Sequence, residues 1–223
     1  MDEPFWSVKL ETTLTIAIAK GRLQAEAFSL LAAAGWRLPA ELSSSRRLSL
    51  ADESGQYRYI FVKPFDVPVY VEHGIADCGL VGRDVLMESS ADLLEPLSLA
   101  IGRCDIVVAA PVGATLDRHA VLRVATKYPR VAARHFGSRG WPVEIIQLAG
   151  SVELAPGLGL ADCIVDLVQT GATLRENGLE PIEVIAESTG RLVVNRASYQ
   201  LKTGAIAALI GSLKTTTYAG SRP

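Results

Sequence analysis

The residues best suited to chemistry lie in one run, LADCIVDLVQTGATL, from Leu160 to Leu174. Side chains repeat every second residue along a strand, so a strand here puts Asp162, Ile164 and Asp166 on one face. A carboxylate inside an apolar strand is costly to bury unless a donor or a cation compensates it. Ribose hydroxyls are suitable donors. Immediately downstream, Thr170, Gly171, Ala172 and Thr173 open a helical turn that passes through Leu174 and ends at Gly178. Gly171 lets the backbone approach an anion closely, and the amides that follow point out of the helix start. The two threonines add hydroxyl donors, and the partial positive charge of a helix N-terminus supplements them without Lys or Arg. An acidic residue for ribose and a Thr-Gly-x-Thr cradle for its 5′-phosphate fit a phosphoribosyl group. The structural alternative is a plain strand–turn–helix corner, with Thr170 as N-cap and Gly171 as turn residue.

A second strand-to-helix junction carries Lys20 and Arg22, cations suited to a pyrophosphate or a triphosphate. Solvated charges at a strand end are the alternative there.

Positioning these groups requires an α/β chain. Short apolar runs alternate with helical patterns, the signature of mostly parallel strands. Leu14–Ala19 reads as a strand, followed by a helix from Leu23 to Ala34 whose buried stripe is Leu23, Ala27, Leu30, Leu31 and Ala34, with Gly35 as the C′ residue. Arg46–Ala51 and Tyr57–Val62 flank a polar turn and read as a hairpin. Asp66 is placed as the cap of a helix holding Val69–Glu72, Ala76–Val81 as a strand closed by Gly82, and Asp84 as the next cap. Strands are expected at Ile106–Ala110, Val121–Ala125, Val143–Leu148, Ile164–Val168 and Ile182–Ala186, with a helix after Pro129. A last helix is expected over Tyr199–Lys214, with a frayed tail from Thr215.

Composition removes several function classes. The formal charge is −2, from 22 basic and 24 acidic side chains, too even for a broad nucleic-acid footprint. Three cysteines (Cys78, Cys104, Cys163) sit in apolar runs and read as buried thiols, and three histidines lack zinc-ligand spacing. The chain opens on Met-Asp-Glu with no apolar stretch behind it, and no run approaches the ~20 apolar residues of a membrane span. A soluble, cytoplasmic chain without nucleic-acid or membrane partners is the expectation.

At this point the residues resemble a known family, the ATP phosphoribosyltransferases of histidine biosynthesis, in their short form. The strongest stretch is GSVELAPGLGLADCIVDLVQTGATLRENGL, Gly150 to Leu179. Supporting stretches are Ile18–Arg22, Asp66–Asp77, Gly79–Gly82 and RVATKYP from Arg123 to Pro129, and the likeness runs from about Leu14 to Leu213. Asp105 departs from the basic residue expected in many relatives.

The resemblance implies a two-lobed fold like that of periplasmic binding proteins, with substrates in the cleft between lobes. It places one lobe at 1–103 plus 184–223 and the other, with the loop, at 104–183. It implies condensation of ATP with 5-phosphoribosyl-1-pyrophosphate (PRPP) to N1-(5-phosphoribosyl)-ATP and pyrophosphate. Mg2+ would arrive on PRPP or pyrophosphate, with no metal held by protein side chains. Residue by residue, Thr170, Gly171, Ala172, Thr173 and Leu174 would hold the 5-phosphate and Asp166 the ribose hydroxyls. Lys20 and Arg22 would meet substrate phosphates, and Glu153, Asp162 and Gly82 would line the cleft or support the loop. Short-form relatives work with a regulatory subunit similar to histidyl-tRNA synthetase, so a homodimer within a hetero-oligomer is implied. A non-catalytic binding module and a nucleobase phosphoribosyltransferase are the competing readings, since fold alone does not decide function.

Overall fold

The computed structural model describes residues 13–39 and 47–219, the last two by backbone alone. Cα packing divides the chain into two compact units, and the chain changes unit after residues 81, 90, 99 and 190. The sequence reading put the crossings near 103 and 183 and left 82–90 in the first unit. Residues 82–90 belong to the second because of what they bind there, described below.

The first unit begins with strand β1 (Leu14–Ala19) and helix α1 (Gln24–Ala33). β1 is apolar at nearly every position because it lies between two parallel neighbours, β3 (Tyr57–Val62) and β4 (Cys78–Gly82). β2 (Ser49–Ala51) pairs antiparallel with β3 through the Asp52–Gln56 turn. The expected hairpin is present with a shorter first arm; Arg46 lies outside the described residues. Helix α2 (Asp66–Glu72) packs on β4 so closely that a Cβ at Gly79 would lie 2.7 Å from Val67 Cγ1. Asp66 is the first helical residue, and Phe65 takes the cap position without a side-chain bond. An acidic side chain in the first turn still favours the helix dipole.

Asp77 knits this unit together from just before β4. Its carboxylate accepts from Thr15 N, Ser198 Oγ and Lys202 Nζ, at 2.7–2.8 Å each. Ser198 belongs to α7 (Arg196–Leu201), and α8 (Thr203–Ala219) follows it. α8 continues through the tail expected to fray, since the Thr215 and Thr216 hydroxyls donate to the carbonyls four residues back and Thr217 is buried. Among the described residues no helix is long and apolar enough to cross a membrane.

The second unit holds α3 (Arg83–Glu88), β6 (Leu122–Thr126), α4 (Pro129–Gly137), β7 (Val143–Gln147), α5 (Leu154–Gly157), β8 (Cys163–Val168) and α6 (Ala172–Glu176). Two long strands, β5 (Leu94–Pro111) and β9 (Leu179–Val194), lie mostly here and begin or end in the first unit. Hydrogen-bonded order runs β5-β8-β6-β7, with β6 parallel to both neighbours and β5 antiparallel to β8. The sequence suggested only Ile106–Ala110 and Ile182–Ala186 for the two long strands. Outside those stretches β5 alternates exposed and buried side chains through Pro96 and Gly102, while β9 is broken by Pro181 and Gly190 and its buried Leu192–Val194 run is only three residues long.

The β8 strand is covered on both faces. Cys163 and Val165 pack with Val131, Ala132 and Phe136 of α4, while Ile164 packs with Ala155 and Leu174 on the other side. Residues 82–90 join this unit because the Glu88 carboxylate accepts from the first amides of α4, Arg130 N at 2.9 Å and Val131 N at 3.0 Å. Those N–H groups have no partner inside the helix, so an acidic side chain from elsewhere satisfies them. Arg134 also donates to Met87 O. Asp84 is the second residue of α3 rather than its cap, and Gly82 takes that position.

Candidate functional site

Asp166 stands near the C-terminal end of β8, opposite Val107 of β5, and only 6% of it is exposed. Its Oδ1 accepts from Leu167 N at 2.8 Å, and its Oδ2 lies 3.7 Å from Lys127 Nζ. Burial pushes the carboxyl above its ordinary range; Lys127 and the Leu167 amide pull it back, and Glu153 adds repulsion. The carboxylate is thus incompletely compensated and suited to accept from a hydroxyl donor. Lys127, at the β6–α4 junction, keeps 30% of its side chain exposed.

Beyond Asp166 the chain turns at Gln169 and Thr170, both exposed, into Gly171 with φ +73°. That left-handed conformation is easy for glycine and strained for other residues. It points the start of α6 outward while buried Leu174 anchors the turn in the core. Gly171, and not Thr170, takes the cap position; the Thr170 hydroxyl meets only Ala172 N, at 3.4 Å. Among the described residues no acceptor faces the N–H groups of Gly171, Thr173 and Leu174, which are the unsatisfied donors of a helix start. Thr173 is exposed, and its hydroxyl adds a donor at the same rim. Arg175 braces the turn by donating to Thr170 O at 3.2 Å. The corner therefore offers a cluster of amides and hydroxyls beside a buried carboxylate and an ammonium.

The remaining candidates fall in different places. Asp162, at the opposite end of β8, accepts from Arg123 N and pairs with the Arg123 guanidinium, both at 2.8 Å. That bond holds its carboxyl below the ordinary range and staples the starts of β6 and β8. Glu153 precedes α5 within electrostatic reach of Asp166, beside Ser151, the one non-glycine with positive φ among the described residues. Gly82 is buried, and a Cβ there would come within 2.1 Å of Asp84 Oδ1, so only glycine fits. Lys20 and Arg22 are exposed at the C-terminal end of β1 in the first unit, where Gly21 has φ +90°. Asp105 stands opposite Val168 in the β5–β8 ladder.

Sequence reasoning missed Lys127 and Arg175. Lys127 lies 39 residues from Asp166, so only the adjacency of β6 and β8 reveals the pair; the Thr-Lys-Tyr-Pro run was the one available signal. Among the described residues no group of three or more His, Cys, Asp or Glu is placed to hold a metal ion.

A family model described as HisG: ATP phosphoribosyltransferase matches residues 63–215. The chain is 52% identical over 200 residues to the ATP phosphoribosyltransferase of Geobacillus kaustophilus (strain HTA426), covering 90% of this chain and 96% of that protein. It is 47% identical over 209 residues to the ATP phosphoribosyltransferase of Sorangium cellulosum (strain So ce56), covering 94% and 98%. Its fold is similar to a chain of the ATP phosphoribosyl transferase (HisG:HisZ) complex from Thermotoga maritima, with TM-score 0.80 and 37% identity, over 93% of this chain and 100% of that one.

Proposed function

Because the chain belongs to the ATP phosphoribosyltransferase family, we propose that it is the catalytic subunit that condenses ATP with PRPP to N1-(5-phosphoribosyl)-ATP and pyrophosphate, the first step of histidine biosynthesis. The observation that carries the reading is the Asp166–Leu174 corner. A 5-phosphate meets the free amides of Gly171, Thr173 and Leu174 and the hydroxyls of Thr170 and Thr173, and the ribose hydroxyls donate to Asp166. Lys127 balances the carboxylate, and Glu153 borders it. Lys20 and Arg22 supply positive charge for substrate phosphates.

Adenine N1 is unprotonated at neutral pH and attacks the anomeric carbon as the bond to pyrophosphate oxygen breaks, so no strong general base is required. The acceleration then comes from positioning and from stabilising the charge that builds on the leaving group. Mg2+ would arrive with PRPP or pyrophosphate and help to neutralise the charge that builds on the leaving group, with no metal held by protein side chains.

The Thermotoga maritima protein is named as a complex of two components. That supports a histidyl-tRNA-synthetase-like regulatory partner for this chain, which would act in the cytoplasm as a homodimer within a hetero-oligomer. The test is ultraviolet absorbance on mixing the chain with ATP, PRPP, Mg2+ and pyrophosphatase, with and without such a partner. A PRPP-dependent rise, strengthened by the partner, is expected. No rise in either condition, with folding and assembly confirmed, would leave a nucleotide- or PRPP-binding module. Consumption of a free base instead of ATP would make the chain a nucleobase phosphoribosyltransferase.

A further inference from the structure

Behind the candidate site lies a buried polar chain with no obvious stabilising purpose. The Tyr128 hydroxyl donates to Asp84 Oδ2 at 3.0 Å, and the Ser188 hydroxyl donates to Asp84 Oδ1 at 2.7 Å. Asp84 N in turn donates to Ser188 Oγ at 2.9 Å. Tyr128, Asp84 and Ser188 are 4%, 3% and 0% exposed. A buried carboxylate held by two neutral hydroxyls is an expensive way to join α3, β9 and the β6–α4 junction. Apolar side chains of similar size often do such work at no loss.

Backbone and side-chain bonds of its two neighbours bracket Lys127. Thr126 Oγ1 donates to Val165 O at 2.6 Å and accepts from Tyr128 N at 2.8 Å, so the residues on both sides of Lys127 are pinned. Val165 directly precedes Asp166, which places the pinned backbone against the Lys127–Asp166 pair. Lysine has a long, mobile stem, and a fixed backbone is what narrows the reach of its ammonium. Gly82 fits the same plan, because any larger residue would displace the Asp84 carboxylate.

We propose that the buried Tyr128–Asp84–Ser188 tether is a positioning device for Lys127, and that Lys127 is a further PRPP-binding residue, the cation of the second unit's site. This rests on the reading of the Asp166–Leu174 corner as the PRPP site. The ionisable groups facing Asp166 are Lys127, Glu153 and Tyr128. Burial and the charge of Asp84 push the Tyr128 phenol far up, so it stays a neutral donor across the working range.

The experiment measures PRPP binding by calorimetry without ATP, and follows the Asp166 carboxyl by carbon NMR titration without any ligand. Lys127→Met should weaken PRPP by about 10-fold or more, the loss of one charge-assisted contact, and Lys127→Arg should recover part of it. Tyr128→Phe should weaken PRPP by about 3–10-fold, leave the KM for ATP within about twofold, and raise the Asp166 titration midpoint as Lys127 drifts away. Gly82→Ala should do the same by a separate route. If Tyr128→Phe and Gly82→Ala lower Tm but leave PRPP affinity and the Asp166 midpoint unchanged, the tether is only structural and the proposal falls. If the wild-type chain does not bind PRPP while the midpoint still shifts in Tyr128→Phe, the positioning half stands and the PRPP reading of the site fails.

Discussion

The sharpest consequence of the loop geometry concerns Gly171→Ala. The residue has φ +73°, and an L-side chain held there costs ~1–2 kcal/mol. Space is a smaller obstacle: the new Cβ would lie 3.0 Å from Arg175 Nη1, the end of a flexible side chain that can move aside. The strain can therefore emerge in two ways. If the turn keeps its shape, global stability falls by that amount, and Tm drops by about 2–4 °C for each kcal/mol in a chain of this size. If the turn relaxes instead, Tm is nearly unchanged and the binding conformation must be rebuilt by the ligand, raising the KM for PRPP by about 5–30-fold. Differential scanning calorimetry and steady-state kinetics on one preparation read both. Gly171→Asn separates strain from bulk, since asparagine tolerates the left-handed region better than alanine: it should restore most of the Tm. A Gly171→Ala variant with wild-type Tm and wild-type KM for PRPP would refute the reasoning.

Other outcomes follow from the same contacts. Because burial raises the Asp166 carboxyl, the native chain loses stability as pH rises from the ordinary value of 3.8 through the raised one. Asp166→Asn should remove that loss, giving a Tm at pH 7 above wild type, a difference that vanishes below pH 3.8, and much weaker PRPP binding; a lower Tm at pH 7 would contradict it. Asp77→Ala leaves Lys202, Ser198 and Thr15 N without their shared acceptor and should cost ~3 kcal/mol or more in urea denaturation. Gly79→Ala should cost ~1–3 kcal/mol by overpacking Val67, with no change in PRPP affinity. The three cysteines are buried, with the Cys163 thiol pushed up to about 12 and Cys78 raised as well, so a thiol reagent at pH 8 should label them only after unfolding.

How much of this was legible in the sequence depends on range. β1, and the β8 run ending in Thr-Gly-Ala-Thr, stand out because a strand buried on both faces is a continuous apolar run and a glycine turn follows it. The shape of the corner was readable, although the cap fell to Gly171 rather than Thr170. What local patterns could not carry was pairing at a distance. Lys127 finds Asp166, and Asp84 finds Tyr128 and Ser188, only through strand adjacency and packing. The same holds for residues 82–90, whose place in the second unit is decided by Glu88 reaching the start of α4. Asp66 and Asp84 looked like caps because aspartate favours that position, yet each lies one or two residues inside its helix. The full length of β5 was hidden by its polar alternation, and that of β9 by Pro181, Gly190 and the shortness of its apolar Leu192–Val194 run.

The most direct test of the central claim is steady-state formation of N1-(5-phosphoribosyl)-ATP by wild type and Thr173→Ala, with each substrate varied in turn and the proposed regulatory partner present. The hydroxyl at the rim of the loop should matter to the phosphoribosyl substrate alone, raising the KM for PRPP by about 5–20-fold and leaving the KM for ATP within about twofold. Unchanged kinetics for PRPP, or a loss that falls on ATP instead, would contradict the assignment of the Asp166–Leu174 corner.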